Sequence, residues 1–305
     1  MKIGIIGNGK HSKKIQHLLK KKNLNFYIYK AKKPSYFNFK DFENLKKCQV
    51  IFILSPNNTH YNYIRKLYNG KRYIFCEKPP TTNRRELSLL KSKKYNKIYF
   101  NFNYRFSVIS SILRKQKNLD NLIYANITLS HGYAFKKEYK YNWRSNKKYC
   151  RKGIYEMLTI HFIDLINFLF KIKKIRTPNL FNISKKGNSY DTASVEIILK
   201  NNAIINIFNT YNAPYSKKLF FLFKNKIIEQ IENNITIKNS FLNFDKNKNF
   251  KPPKIIKKIT DKDSNKSNFS LEMSLNYFLE TVKKKRTFSK KILKTSLETN
   301  RLILK

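Results

Sequence analysis

Three of the chain's 7 glycines fall within its first nine residues, and that concentration constrains the fold more than any other feature. Lys2 to Ile6 is a short apolar run, interrupted by Gly4, that ends at Gly7-Asn8-Gly9-Lys10-His11-Ser12. Apolar residues then recur at helical spacing through Ile15, Leu18 and Leu19. The order is strand, tight turn, helix. In such a unit a Gly-x-Gly-x-x-Gly/Ala turn cradles a dinucleotide. The first glycine makes the bend, the second lets the pyrophosphate approach the backbone, and the third position must be small where helix packs on strand. Ser12 takes that third place and is small enough. Phosphates would sit at the amino end of the helix beginning near Lys10, where N–H groups and the helix dipole favour anions. Gly7, Asn8, Gly9, His11 and Ser12 are therefore candidate cofactor contacts.

The same alternation continues. Asn25 to Tyr29 reads as a second strand, whose end ordinarily supplies an Asp or Glu to the adenosine ribose. Lys30-Ala31-Lys32-Lys33 stands there instead, and the first acid after the glycine turn is Asp41. A missing carboxylate among cations favours a 2'-phosphate, hence NADP over NAD, with Lys30 as the contact. Gln49 to Leu54 is a buried strand ending in Ser55-Pro56-Asn57-Asn58-Thr59-His60, followed by an amphipathic helix through Ile64 and Leu67 that stops at Gly70. Tyr73 to Cys76 is the next strand. It closes on Glu77-Lys78-Pro79-Pro80, where proline lacks a ladder donor and holds Lys78 extended. A helix capped by Thr82 or Asn83 follows, then a strand from Ile98 to Phe102 and Asn103-Tyr104-Arg105-Phe106. Strands alternating with helices predict a doubly wound parallel sheet over residues 1–120, with ligands at the carboxyl ends of the strands.

Residues 121–305 read differently. Leu122 to Leu129, Ala193 to Leu199, Ala203 to Tyr211 and Leu219 to Phe223 are strand-like, and short polar connectors separate the later ones. Asn233 to Lys266 is polar, lysine-rich and nearly without pattern, which suits edge strands and loop. Two amphipathic helices, about Leu271 to Lys283 and Lys290 to Leu304, close the chain, the last able to pack back on the first domain. Trp143-Arg144 precedes Gly153-Ile-Tyr-Glu156-Met157-Leu-Thr-Ile-His161-Phe-Ile-Asp164. Helical spacing from Leu158 puts His161 and Asp164 on one face.

Lys+Arg of 65 against Asp+Glu of 18 gives +47. A basic nucleic-acid binder is one reading of that balance, but the lysines run along the whole chain without forming a stripe. The abundance of Lys, Asn, Ile, Phe and Tyr, all with A/T-rich codons, offers a compositional explanation. No apolar run approaches the roughly 18 residues of a membrane span, and no secretory signal is evident. Three cysteines without a Cys-x-x-Cys pair suit a reducing, cytoplasmic compartment and argue against a disulfide framework or a metal site.

Gly7-x-Gly9, Ser55-Pro56-Asn57-x-x-His60, Gly70-Lys71, Glu77-Lys78-Pro79 and Asn103-x-Arg105-Phe106, in this order, resemble the glucose-fructose oxidoreductase / inositol dehydrogenase family (Gfo/Idh/MocA). The resemblance spans nearly the whole chain and is strongest over residues 1–106. It implies a Rossmann domain followed by a C-terminal α+β domain with an open, mostly antiparallel sheet, and an NAD(P)-dependent oxidoreductase acting on a sugar, polyol or sugar nucleotide. It also implies a homo-oligomer. By the same resemblance Lys78 and His161 are catalytic, Glu77 holds the nicotinamide-side ribose, and Ser55, Pro56, Asn57 and His60 border the cofactor. Arg105, Trp143, Arg144 and Asp164 join Lys78 and His161 around the substrate. One departure stands out: the family's acid four residues before the histidine is Met157 here. Glu156 replaces it only if the helix starts irregularly, and a catalytically degenerate nucleotide-binding member is the alternative.

Overall fold

A computed structural model describes residues 1–29, 39–92, 95–239, 244–263 and 268–305. The chain divides into two compact units, one made of Met1–Phe102 and Glu272–Lys305 and the other of Asn103–Leu271.

The first unit opens with β1 (Ile3–Ile6), α1 (Lys10–Lys20), β2 (Phe26–Tyr29), α2 (Phe39–Lys46) and β3 (Val50–Ile53). It continues with α3 (His60–Leu67), β4 (Tyr73–Glu77), α4 (Arg84–Ser92) and β5 (Ile98–Asn101). The five strands form a sheet in the order β2-β1-β3-β4-β5, every pair parallel. Strands covered on both faces need apolar side chains in succession, and β1, β3 and β5 are buried at every position. This is the doubly wound sheet that the sequence predicts. Its order reverses between β1 and β3, so the glycine turn after β1 and the Ser55-Pro56 turn after β3 flank the switch point. Local signals act as expected. Asn83 Oδ1 accepts from the Glu86 N–H at 2.8 Å and starts α4. Ile15, Leu18 and Leu19 are the buried stripe of α1.

The second unit contains α5 (Val108–Arg114), β6 (Leu122–Ser130), α6 (Ile160–Leu169), β7 (Ile172–Ile175), β8 (Asn179–Phe181), β9 (Thr192–Leu199) and β10 (Ile204–Thr210). β11 (Ser216–Phe223), β12 (Lys226–Ile231), β13 (Asn234–Asn239) and β14 (Lys254–Thr260) complete its sheet. Among the described residues the sheet has nine strands in the order β14-β13-β12-β11-β6-β10-β9-β7, with β8 also on β9. Among the described residues of this sheet, only β6 and β10 pair in parallel. Alternate residues on β9 (Ala193, Val195, Ile197, Leu199) and β11 (Leu219, Phe221, Phe223) are buried, the period-two pattern of a sheet covered on one face. β7, β8 and β12 escape the sequence reading, because lysines and short lengths break their patterns. Asn233 to Lys266 contributes β13 and β14, which pair antiparallel from Asn234↔Thr260 to Asn239↔Lys254. α7 (Phe269–Lys283) then crosses into the first unit, which α8 (Lys290–Leu304) completes. Among the described residues, no helix is long and apolar enough to cross a membrane.

Candidate active site

The first unit gathers candidate residues at the carboxyl edge of its sheet. Gly7 sits at φ +104°, and a Cβ there would meet the Leu54 carbonyl oxygen at 2.7 Å, so the bend requires glycine. Gly9 caps α1 without side-chain help, and a Cβ on it would meet nothing within 4 Å. Open backbone ahead of a helix amino terminus with no acid in its first turn fits a pyrophosphate. Ser12 is more than small: its hydroxyl donates to the Gly7 carbonyl at 2.8 Å and closes the turn. Asn8 and Ser12 both accept from Gln16 Nε2.

Glu77, the last residue of β4, meets two partners. His11 Nε2 lies 2.7 Å from Glu77 Oε1, and Asn101 Nδ2 donates to the same oxygen at 2.6 Å. Burial pushes the Glu77 carboxyl up, but His11, the Asn101 amide and the Lys78 ammonium outweigh it and hold the pKa at about 2. The carboxylate is thus ionised and acts only as an acceptor. Lys78, the next residue, is buried at 7% exposure.

The turn after β3 is tied to Pro79, the residue after Lys78, through His60. Its imidazole, fully buried, places Nδ1 2.8 Å from the Pro79 carbonyl and Nε2 3.0 Å from the Ser55 carbonyl. Burial lowers the His60 pKa, while the two carbonyls pull it upward. Ser55 and Thr59 share a 2.6 Å hydroxyl contact, and Thr59 donates to the Pro56 carbonyl. Asn57 is buried in the same turn. Past Pro80, the Thr81 N–H donates to Asn300 Oδ1 at 2.8 Å, and Asn300 Nδ2 returns a bond to the Thr81 carbonyl, so α8 clamps the segment leaving Lys78. Lys30 lies outside the described residues.

In the second unit, His161 is half-buried with its ring 5.0 Å from that of Tyr104. The Tyr104 phenol is pushed up, first by burial and then by Asp263. Asp164, one turn beyond His161, is fully buried and bonded to Arg105, whose Nε and Nη2 donate to the two carboxylate oxygens at 2.7 and 2.6 Å. Both residues, expected at the substrate, spend these charges on one another. Trp143 and Arg144 are half-buried, the guanidinium 4.5 Å over the indole ring. The segment before His161 is irregular: Tyr155–Thr159 is a π-helical turn. Gly153 precedes it at φ +53°, and a side chain there would collide with the Tyr190 backbone. Glu156 is buried, and its Oε1 accepts from the Lys152 N–H at 3.2 Å.

Asn101 and Tyr104 escape the sequence reading. The signal for Tyr104 was present, because it fills the variable place in Asn103-x-Arg105. Nothing local marks Asn101 except its position at the end of a buried strand beside Glu77.

Comparison with known proteins agrees with this architecture. Residues 1–98 match the model of a family described as oxidoreductase family, NAD-binding Rossmann fold. D-Glucoside 3-dehydrogenase of Escherichia coli (strain K12) is 23% identical over 146 residues, 46% of this chain and 41% of that protein. The match therefore spans less than half the length of that curated relative. Among solved structures, UDP-N-acetylglucosamine 3-dehydrogenase from Acidithiobacillus ferrooxidans superposes with a TM-score of 0.73 at 13% identity, covering 100% of this chain and 95% of that one. Levoglucosan dehydrogenase, solved with NADH and levoglucosan, gives 0.74 at 12% identity over 99% and 95%. At such identities these structures establish a shared fold. Residues 1–98, which hold the glycine turn and most of the parallel sheet, thus match an oxidoreductase family with an NAD-binding Rossmann fold.

Proposed function

We propose that the protein is a nicotinamide-dependent dehydrogenase that moves a hydride to or from a secondary alcohol or ketone of a sugar, polyol or sugar nucleotide. The observation that carries this reading is the Glu77 carboxylate 2.7 Å from His11, in the first turn of the helix that follows Gly7–Gly9, with a lysine as the very next residue. The names of the relatives, a glucoside, a levoglucosan and a UDP-sugar dehydrogenase, support the substrate class. When bound, the nicotinamide supplies the hydride acceptor or donor. The chain's own residues bind, aim and handle the proton. Gly7, Gly9 and the first turn of α1 take the pyrophosphate, and Glu77 accepts from the nicotinamide-side ribose. Lys78 donates to the reacting hydroxyl and stabilises the alkoxide as it develops. His161 exchanges the proton as the general acid/base. Lys30, Lys32 and Lys33, with no acid beside them, favour NADP(H) over NAD(H).

Met157 in place of an acid raises the second reading, a nucleotide-binding protein without turnover. The π-helical turn weighs against it. Bonds from i to i+5 widen the backbone there, and five residues is the spacing of Glu156 and His161. Glu156 in this reading is the replacement acid.

Fluorescence titration with NADH and NADPH, followed by turnover of a verified sugar substrate, tests the proposal. Lys78→Ala is expected to keep cofactor affinity within about threefold and lose about 100-fold or more in kcat. Turnover equal to wild type would refute the role of Lys78. Failure to bind either cofactor would refute the dehydrogenase reading itself.

A further inference from the structure

Glu77 is the end of a longer run of hydrogen bonds. The Tyr99 hydroxyl lies 2.6 Å from Ser274 Oγ, and Ser274 Oγ donates to Asn101 Oδ1 at 2.7 Å. Asn101 Nδ2 donates to Glu77 Oε1 at 2.6 Å. Every direction in this run follows from its last member. An ionised carboxylate only accepts, so the amide must turn its NH2 toward Glu77 and its oxygen toward Ser274. The single proton of Ser274 is then committed to Asn101, and the serine oxygen accepts from Tyr99. The opposite amide orientation would set oxygen against oxygen at 2.6 Å. Tyr99, Asn101 and Ser274 are each at most 1% exposed, so water does not compete for these bonds.

We propose that Ser274 on α7 is a positioning residue for the cofactor site, fixing the Asn101 amide so that Glu77 stays aimed. The proposal rests on reading Glu77 as the ribose ligand. It makes a helix outside residues 1–98 part of the nucleotide-binding apparatus. A serine used only for packing would affect thermal stability and nothing at Glu77.

Three full-length variants separate these cases: Ser274→Ala, Tyr99→Phe and the two combined. Ser274→Ala frees the Asn101 amide and is expected to weaken NADH or NADPH binding by about five- to tenfold, measured by fluorescence titration. Tyr99→Phe keeps the Ser274–Asn101 bond and should bind within about twofold of wild type. The double variant, with no tyrosine hydroxyl left facing an alanine, should recover the melting temperature lost in Ser274→Ala without recovering affinity. In cofactor-free protein, the carboxyl carbon resonance of Glu77 should titrate at higher pH in Ser274→Ala than in wild type. An unchanged Glu77 titration in that variant would overturn the positioning role. A shifted titration in a protein that binds neither cofactor would overturn the ribose assignment and leave the relay standing.

Discussion

The Arg105–Asp164 pair gives a sharp test, because its two possible roles predict opposite results. Arg105 is 2% exposed and Asp164 fully buried, with two parallel bonds of 2.7 and 2.6 Å between them. Asp164→Asn keeps the shape and removes one charge, leaving a guanidinium in the interior opposite a neutral amide. Breaking a buried pair from one side costs about 3–5 kcal/mol. For a unit of this size each kcal/mol lowers the melting temperature by about 2–4 °C, so the variant should melt roughly 6–20 °C below wild type. Removing both charges with Arg105→Met/Asp164→Leu should restore most of the loss, since similar replacements have been neutral or stabilising by about 1–4 kcal/mol. Far-UV circular dichroism melts at fixed pH and salt measure both. A single variant within about 2 °C of wild type, or a double variant as unstable as the single, would refute the structural assignment. If Arg105 binds substrate as well, the stable double variant will also show a raised KM.

Other expectations follow from geometry already described. Gly7→Ala should lose most cofactor affinity, because φ +104° strains an L-residue and its Cβ would press on the Leu54 carbonyl, a backbone atom that cannot rotate away; unchanged affinity in a titration would contradict this. Glu77 has a folded pKa of about 2 against the ordinary 4.5, so its contribution to stability is complete above pH 4.5 and is lost as pH falls toward 2. Glu77→Gln should flatten that segment of the denaturation profile, and an unaltered profile would show that the carboxylate is not held down. Glu156→Gln should lower kcat by about tenfold or more while Met157→Leu changes it by less than about threefold, if Glu156 serves as the acid partner of His161. A kcat unchanged in Glu156→Gln would refute that role.

Much of the first unit was legible because parallel strands covered on both faces are written as uninterrupted apolar runs, as in Val50–Ile53, and because glycine and proline punctuate their ends. The second unit was less so. β7 and β12 place lysines and a glutamate among their apolar residues, and periodicity dissolves in such short edges. The site divides along the same line. Motif residues such as Gly7, Glu77 and Lys78 announce themselves locally. Partners chosen by the fold do not: nothing in the sequence links Asn101 to Ser274 or Arg105 to Asp164, and the π-helical turn before His161 has no composition of its own. Ser12 shows the intermediate case, where size was readable and the bond to the Gly7 carbonyl was not.

The discontinuous make-up of the first unit bears on how the protein emerges from the ribosome. Its sheet is translated early, yet α7 and α8 arrive last, after every strand of the other unit has been made. Domains generally fold as they are synthesised, amino-terminal first. Here the nascent Rossmann sheet must wait with Phe75 and Tyr99 uncovered until Phe278 and Phe288 arrive to pack against them. A nascent chain stalled short of residue 272 would therefore present an apolar surface to chaperones, even though all of its dinucleotide-binding motifs had already been translated.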